Sequence, residues 1–149
     1  MYKHILVPTD GSALSDKAVE AAIKLAKLAG ARITAFHAVE PYPLQGAYAS
    51  EASGIAELQP EIFAERSEEY AKRVLDAVAS AAAAANVPCA TSYATSGSAS
   101  QAIVAKASKE NCDLIVMASH GRRGLEGFLL GSETQKVLTH SSIPVLVYR

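Results

Sequence analysis

Tryptophan is absent, cysteine occurs only twice, and neither sign of charge prevails: 14 lysines and arginines against 15 aspartates and glutamates leave a formal net charge of -1 over 149 residues. Each scarcity removes a class of function. A near-neutral chain lacks the basic face that nucleic-acid-binding domains offer to a phosphate backbone, so no nucleic-acid partner is expected. Cys89 and Cys112 stand far apart without Cys-x-x-Cys spacing and read as part-buried reduced thiols, not as a disulfide or a metal pair. His4, His37, His120 and His140 show no ligand spacing, so no metal site is expected. Half the residues are apolar, yet no run approaches the roughly 18 consecutive apolar residues of a membrane span. The first residues, MYKHILVPTD, form a strand-like run stopped by Pro8 rather than a secretory leader, which makes a cytoplasmic location without membrane contact the expectation.

The length suits one domain, 1–149, able to bury a core without staples. Ile5, Leu6 and Val7 mark a first strand within Tyr2–Val7, and Pro8 ends it before the turn-forming Asp10, Gly11 and Ser12. Val19, Ala22, Ile23, Ala26 and Ala29 recur at helical spacing, and Gly30 suits the left-handed position that closes a helix. Ala31–Val39 is a second strand, ended by Pro41 and Pro43, and Glu40 to Gln59 has no sustained period and reads as a long loop. Pro60 opens a long helix reaching about Asn86 through Phe63, Tyr70, Val74, Leu75 and Val78. A strand over Cys89–Thr95, a helix through Ile103, Val104 and Ala107, a strand over Leu114–Met117, a helix from about Ser132 and a last strand over Pro144–Tyr148 complete the chain.

Five strands alternating with four helical connections predict an α/β domain with a doubly wound, five-stranded parallel sheet and helices on both faces. Such sheets take ligands at the carboxyl ends of their strands where the strand order reverses. Here that point would join the ends of the first and fourth strands, Pro8-Thr9-Asp10 and Ala118-Ser119-His120-Gly121. The stretch ASHGRRGLEGFLLGS, Ala118 to Ser132, carries an apolar strand into a glycine-flanked loop and then a helix start, an arrangement that presents free N–H groups to phosphate. Ser132 with Gln135 reads as a capping box, and Asp10 alone is equally explained as a turn or capping residue. Gly124 and Gly127 read as loop flexibility, Arg122 and Arg123 as phosphate ligands or solvated surface.

Two motifs, VPTDGS and ASHGRRGLEGFLLGS, together with the closing SSIPVLVYR, make the chain resemble the universal stress protein family over nearly its whole length. The resemblance implies a Rossmann-like, adenine nucleotide alpha hydrolase-like domain. It also implies that adenine nucleotide, mostly ATP, binds between the motifs, with any Mg²⁺ held by the phosphates. The family's glycine pattern falls on Gly121, Gly131 and Ser132, with Ala118 in place of the first glycine. By the same resemblance Pro8, Thr9 and Asp10 would meet the adenosine, Ala38 would face the adenine edge, and Ala118 and Gly121 would lie along the ribose and first phosphates; Met117 is a further nucleotide-site candidate, and His120 reads as a loop histidine packing near the ligand. Gly131, Ser132, Glu133 and Thr134 would offer amides and hydroxyls to the distal phosphates, and one of Arg122 and Arg123 would add positive charge beside the phosphates. The family also pairs its last strands, which implies a homodimer through Ile143 to Tyr148.

The chain has no G-x-x-x-x-G-K-[ST] segment, no G-x-G-x-x-G turn after the first strand and no motif-marked serine or cysteine nucleophile beside His120. Binding without efficient turnover, in stress response or signalling, is the expectation. A slow Mg²⁺-dependent ATPase or phosphotransferase and a module that binds no nucleotide are the alternatives.

Overall fold

The computed structural model describes residues 1–43, 59–121 and 130–149. Its elements run β1 (His4–Pro8), α1 (Ala13–Ala29), β2 (Arg32–Val39), α2 (Pro60–Ala84), β3 (Cys89–Thr95), α3 (Ala99–Lys109), β4 (Leu114–Ala118), α4 (Ser132–His140) and β5 (Val145–Tyr148). They match the sequence expectation in number, type and order. The loop expected over Glu40 to Gln59 falls mostly, at 44–58, outside the described residues.

The sheet is parallel throughout in the order β3-β2-β1-β4-β5, so the reversal lies between β1 and β4, as expected. Strand alternation divides the core. Ile5, Val7, Ile33, Ala35, Leu114 and Val116 pack on one face with α1 and α2 residues such as Val19, Ile23, Leu75 and Val78. Leu6, Phe36, Ile115 and Met117 pack on the other with Ile103, Ala107 and Val137 from α3 and α4. Fully burying each large side chain of this set contributes about 1.5–3 kcal/mol, enough to hold a sheet covered on both faces.

Local signals set the helix ends. The Ser12 side chain accepts the Ser15 N–H at the start of α1, and Gly30, at φ 64°, ends that helix in the left-handed region. The C-caps of α2 and α3, Ala85 and Glu110, are each followed by an asparagine with positive φ, Asn86 at 58° and Asn111 at 53°. The next N–H reaches back across the helix end, Val87 to Ala82 O and Cys112 to Ala107 O, both at 2.9 Å, the bond that lets asparagine replace glycine as a helix stop.

Pro8 belongs to β1, although it had been expected to end the strand beforehand. It pairs with Phe36 of β2 on one side, while pairing with β4 runs only through Ile5↔Leu114 and Leu6↔Ile115. With no ladder partner on the β4 side, a residue without an N–H is tolerated there. At the opposite, amino edge, the Asp113 carboxylate accepts the Lys3 N–H at 2.8 Å and the His4 N–H at 3.0 Å, tying the two strands together. The strands are therefore clamped at their amino ends and unpaired beyond Leu6, at the reversal point where doubly wound sheets have their ligand crevice.

Candidate functional site

The β1–α1 turn forms one wall of that crevice. Thr9, buried at its end, takes over the ladder by donating its N–H to Phe36 O at 2.9 Å. The Ser15 hydroxyl donates to Ser12 O at 2.9 Å, so its 3.0 Å bond with Thr9 has Thr9 Oγ1 as donor. The same Thr9 oxygen accepts the Gly11 N–H at 3.2 Å. Asp10 Oδ1 accepts the Ser12 N–H at 3.0 Å, so the turn role open to Asp10 from sequence is real. Its other oxygen leans across the crevice: a Cβ placed on Gly121 would stand 2.5 Å from Asp10 Oδ2.

The opposite wall is the end of β4. Ala118 remains in the strand, opposite Tyr148 of β5. Positive φ outside glycine is confined, among the described residues, to Asn86 and Asn111, so the alanine at the family's first glycine position costs no backbone strain. Ser119 donates its N–H to Tyr148 O at 2.8 Å, and its carbonyl accepts the Gly131 N–H at 2.7 Å. That second bond brings the start of α4 onto the end of β4. A Cβ on Gly131 would meet His120 Cα at 3.1 Å and Ser119 O at 3.2 Å, a fit in which the missing side chain matters more than backbone freedom.

The helix start departs from the expected capping box. Gly131, not Ser132, is the N-cap, with no side-chain cap bond. Gln135 donates from Nε2 to Leu130 O at 3.2 Å, because a helix begun one residue earlier moves Gln135 beyond the third helical position. Ser132 becomes the exposed first residue of the helix, and Ser132, Glu133 and Thr134 hold the N–H groups that an α-helix leaves without internal acceptors.

Two of their side chains are engaged elsewhere. Thr134 Oγ1, buried, donates to Ala118 O at 3.0 Å. Glu133 accepts the Ser100 N–H at 2.8 Å at the start of α3 and pairs with Lys136 at 3.0 Å. Burial pushes the Glu133 carboxyl up, but the bonds from Lys136 and Ser100 outweigh it and hold the group below its ordinary value. Any contribution of these two residues to a ligand is therefore through their main-chain N–H groups.

Of the residues singled out in sequence, Pro8, Thr9, Asp10, Ala118, His120, Gly121, Gly131 and Ser132 gather at this edge. Met117 lies in β4 with its side chain in the α3/α4-side core. Ala38 is half-buried near the end of β2, two positions beyond the Phe36 that pairs with Pro8. Arg122 and Arg123, with Gly124 and Gly127, lie outside the described residues. His120 is half-buried, with Nδ1 3.3 Å from Ser119 Oγ.

Two neighbours escaped the sequence reading. Buried His37 donates from Nδ1 to Thr9 O at 2.8 Å, and Tyr70 donates its hydroxyl to Asp10 O at 2.6 Å. A histidine between Phe36 and Ala38 in a mostly apolar strand was the available signal for His37. Tyr70 fitted the helical core period and gave none.

Both cysteines are free; Cys112 is buried, and burial pushes its thiol up to about 11. Among the described residues no group of three or more His, Cys, Asp or Glu is placed to hold a metal ion, and no helix is long and apolar enough to cross a membrane. A surface depression of about 380 Å³ lies at the other end of the sheet, lined by Lys3, Lys27, Arg32 and Pro88 among others.

The model of the universal stress protein family matches residues 1–149. The chain belongs to the universal stress protein family. A universal stress protein of Methanocaldococcus jannaschii is 36% identical over 149 residues, covering 100% of this chain and 83% of its own. The solved universal stress protein UspA of Lactobacillus plantarum superposes with a TM-score of 0.70 at 26% identity, over 99% of this chain and 98% of its own. Two more distant universal stress proteins of the same fold were solved in complex with cAMP (23% identity, TM-score 0.70, 99% and 97% covered) and, from Archaeoglobus fulgidus, with dAMP (18%, 0.70, 99% and 98%). The Rossmann-like α/β fold of universal stress proteins is thus the fold of this chain.

Proposed function

We propose that this universal stress protein binds an adenine nucleotide, ATP foremost, in the crevice between β1 and β4 and acts in stress response or signalling through occupancy and contacts with partner proteins. The observation that carries the reading is the approach of Asp10 Oδ2 to Gly121 across the strand reversal, beside a helix start docked by the Gly131–Ser119 bond. A carboxylate there accepts from ribose hydroxyls or the adenine amine, and the first-turn N–H groups of Ser132, Glu133 and Thr134 suit phosphate. Pro8, Thr9 and Ala38 would wall the adenosine. Ala118, His120 and Gly121 would border the ribose and first phosphates, with Met117 behind them and Arg122 or Arg123 adding charge. Mg²⁺ would be held by the phosphates, since the described residues supply no ligand cluster of their own. The cAMP and dAMP complexes of the two distant relatives show adenylate ligands on this fold and lend support to the ligand class.

Mass spectrometry of small molecules released from freshly purified protein, with thermal shifts on adding ATP and Mg²⁺, tests the reading. Bound adenine nucleotide or a rise in Tm is expected; neither would overturn it. A module that binds no nucleotide is the second reading, favoured by the internal use of the Gly131 N–H and the Thr134 hydroxyl. A slow ATPase would show as phosphate release abolished by Gly131→Val. A cytoplasmic homodimer joined through Ile143 to Tyr148 completes the proposal.

A further inference from the structure

Two successive carbonyls of the β1–α1 turn are held by side chains from other elements. His37 of β2 donates to Thr9 O at 2.8 Å and Tyr70 of α2 donates to Asp10 O at 2.6 Å. The two rings also pack edge to face, with centroids 5.6 Å apart at 62°. Gly11 makes room for this arrangement: its φ is +77°, and a Cβ there would stand 2.6 Å from Tyr70 Oη and 2.9 Å from Val74 Cγ2. With the main chain held at Thr9 and Asp10, and Asp10 Oδ1 bound to the Ser12 N–H, the carboxylate has little torsional freedom left and its Oδ2 faces Gly121.

We propose that Tyr70 and His37 are positioning residues that pre-orient Asp10 for its ligand, making the middle of α2 part of the binding site without touching the ligand. The inference rests on the nucleotide reading for the ligand and on the hydrogen bonds alone for the positioning. Preorganisation raises affinity by removing the cost of ordering a contact group on binding. Loss of the Tyr70 hydroxyl bond therefore weakens binding by roughly tenfold, the size of one hydrogen bond.

Calorimetric titration of the whole protein with ATP and Mg²⁺ tests this with Tyr70→Phe, Asp10→Ala and the double variant. The expected result is a loss for each single variant and no further loss in the double, because Tyr70 acts through Asp10. His37→Asn, which keeps a donor near the Nδ1 position, is expected to bind close to wild type, while His37→Leu loses affinity. Amide exchange at Ser12, whose N–H is bound by Asp10, is followed without ligand; it quickens in Tyr70→Phe and stays unchanged in the surface variant Tyr93→Phe. Unaltered affinity and unaltered Ser12 exchange in Tyr70→Phe, or fully additive losses, would overturn the proposal. If wild type binds no adenine nucleotide while Ser12 exchange still quickens, the ligand assignment falls and the positioning role stands.

Discussion

Gly131 shows how much a single absent side chain decides. Its backbone is ordinary, φ -70° and ψ 156°, so any residue could adopt it, but its Cβ position is crowded by His120 Cα at 3.1 Å and by Ser119 O at 3.2 Å. Gly131→Val is expected to lose nucleotide binding and about 1–3 kcal/mol of stability through overpacking, as read by calorimetric titration and urea unfolding. At the far end of the sheet, His4 is buried between Thr34 Oγ1 at 2.8 Å and Glu110 O at 3.1 Å. Burial first, then the nearby Arg32 charge, lowers its pKa below the ordinary 6.5. The unfolded chain then binds the proton more readily than the folded one. Stability is full above the unfolded value and is lost as pH falls through it toward the lower folded value. Urea midpoints should drop between about pH 7.5 and about pH 5.5, and His4→Gln should flatten that slope. Glu110 and Asp113, which also face His4, have lowered carboxyl pKa values and contribute their losses at lower pH.

Among elements, the helix starts separate two serines that look alike in sequence. Ser12 caps α1 through the Ser15 N–H at 3.2 Å, whereas Ser132 is already inside α4, behind the N-cap Gly131. Ser12→Ala should cost about 1 kcal/mol and Ser132→Ala under about 0.5 kcal/mol, measured by chemical denaturation. A Ser132→Ala cost equal to that of Ser12→Ala would reinstate the capping box. Element types and order were readable because period-2 and period-3.6 apolar patterns, with Gly30 as a stop, act locally. The one-residue shift at α4 was not, because it depends on the Gly131–Ser119 bond at 2.7 Å, a contact between residues twelve apart in sequence. The Pro8 extension of β1 likewise depends on where β4 pairing stops.

The whole sheet has two edges, β3 and β5, and they differ. Strand β3 exposes Thr91, Tyr93 and Thr95, a polar margin that discourages pairing. On β5, Leu146 is 40% exposed in a run of Val145, Leu146 and Val147, an apolar edge that invites a second copy. Light scattering at micromolar concentration should give a dimer mass, reduced to the monomer by Leu146→Asp; a monomeric wild type would defeat the pairing. Composition and spacing alone settled the class, since alternating strand and helix patterns with both sheet faces to cover admit few arrangements other than a doubly wound sheet. The motif resemblance singled out Asp10, Gly121 and Gly131 as site candidates, because their motifs lie in two short segments. The approach of Asp10 to Gly121, the inward turn of Thr134 and the hold of Tyr70 and His37 on the turn were set by packing between β1, β2, β4, α2 and α4. Such contacts join residues far apart in the chain, and no local pattern records them.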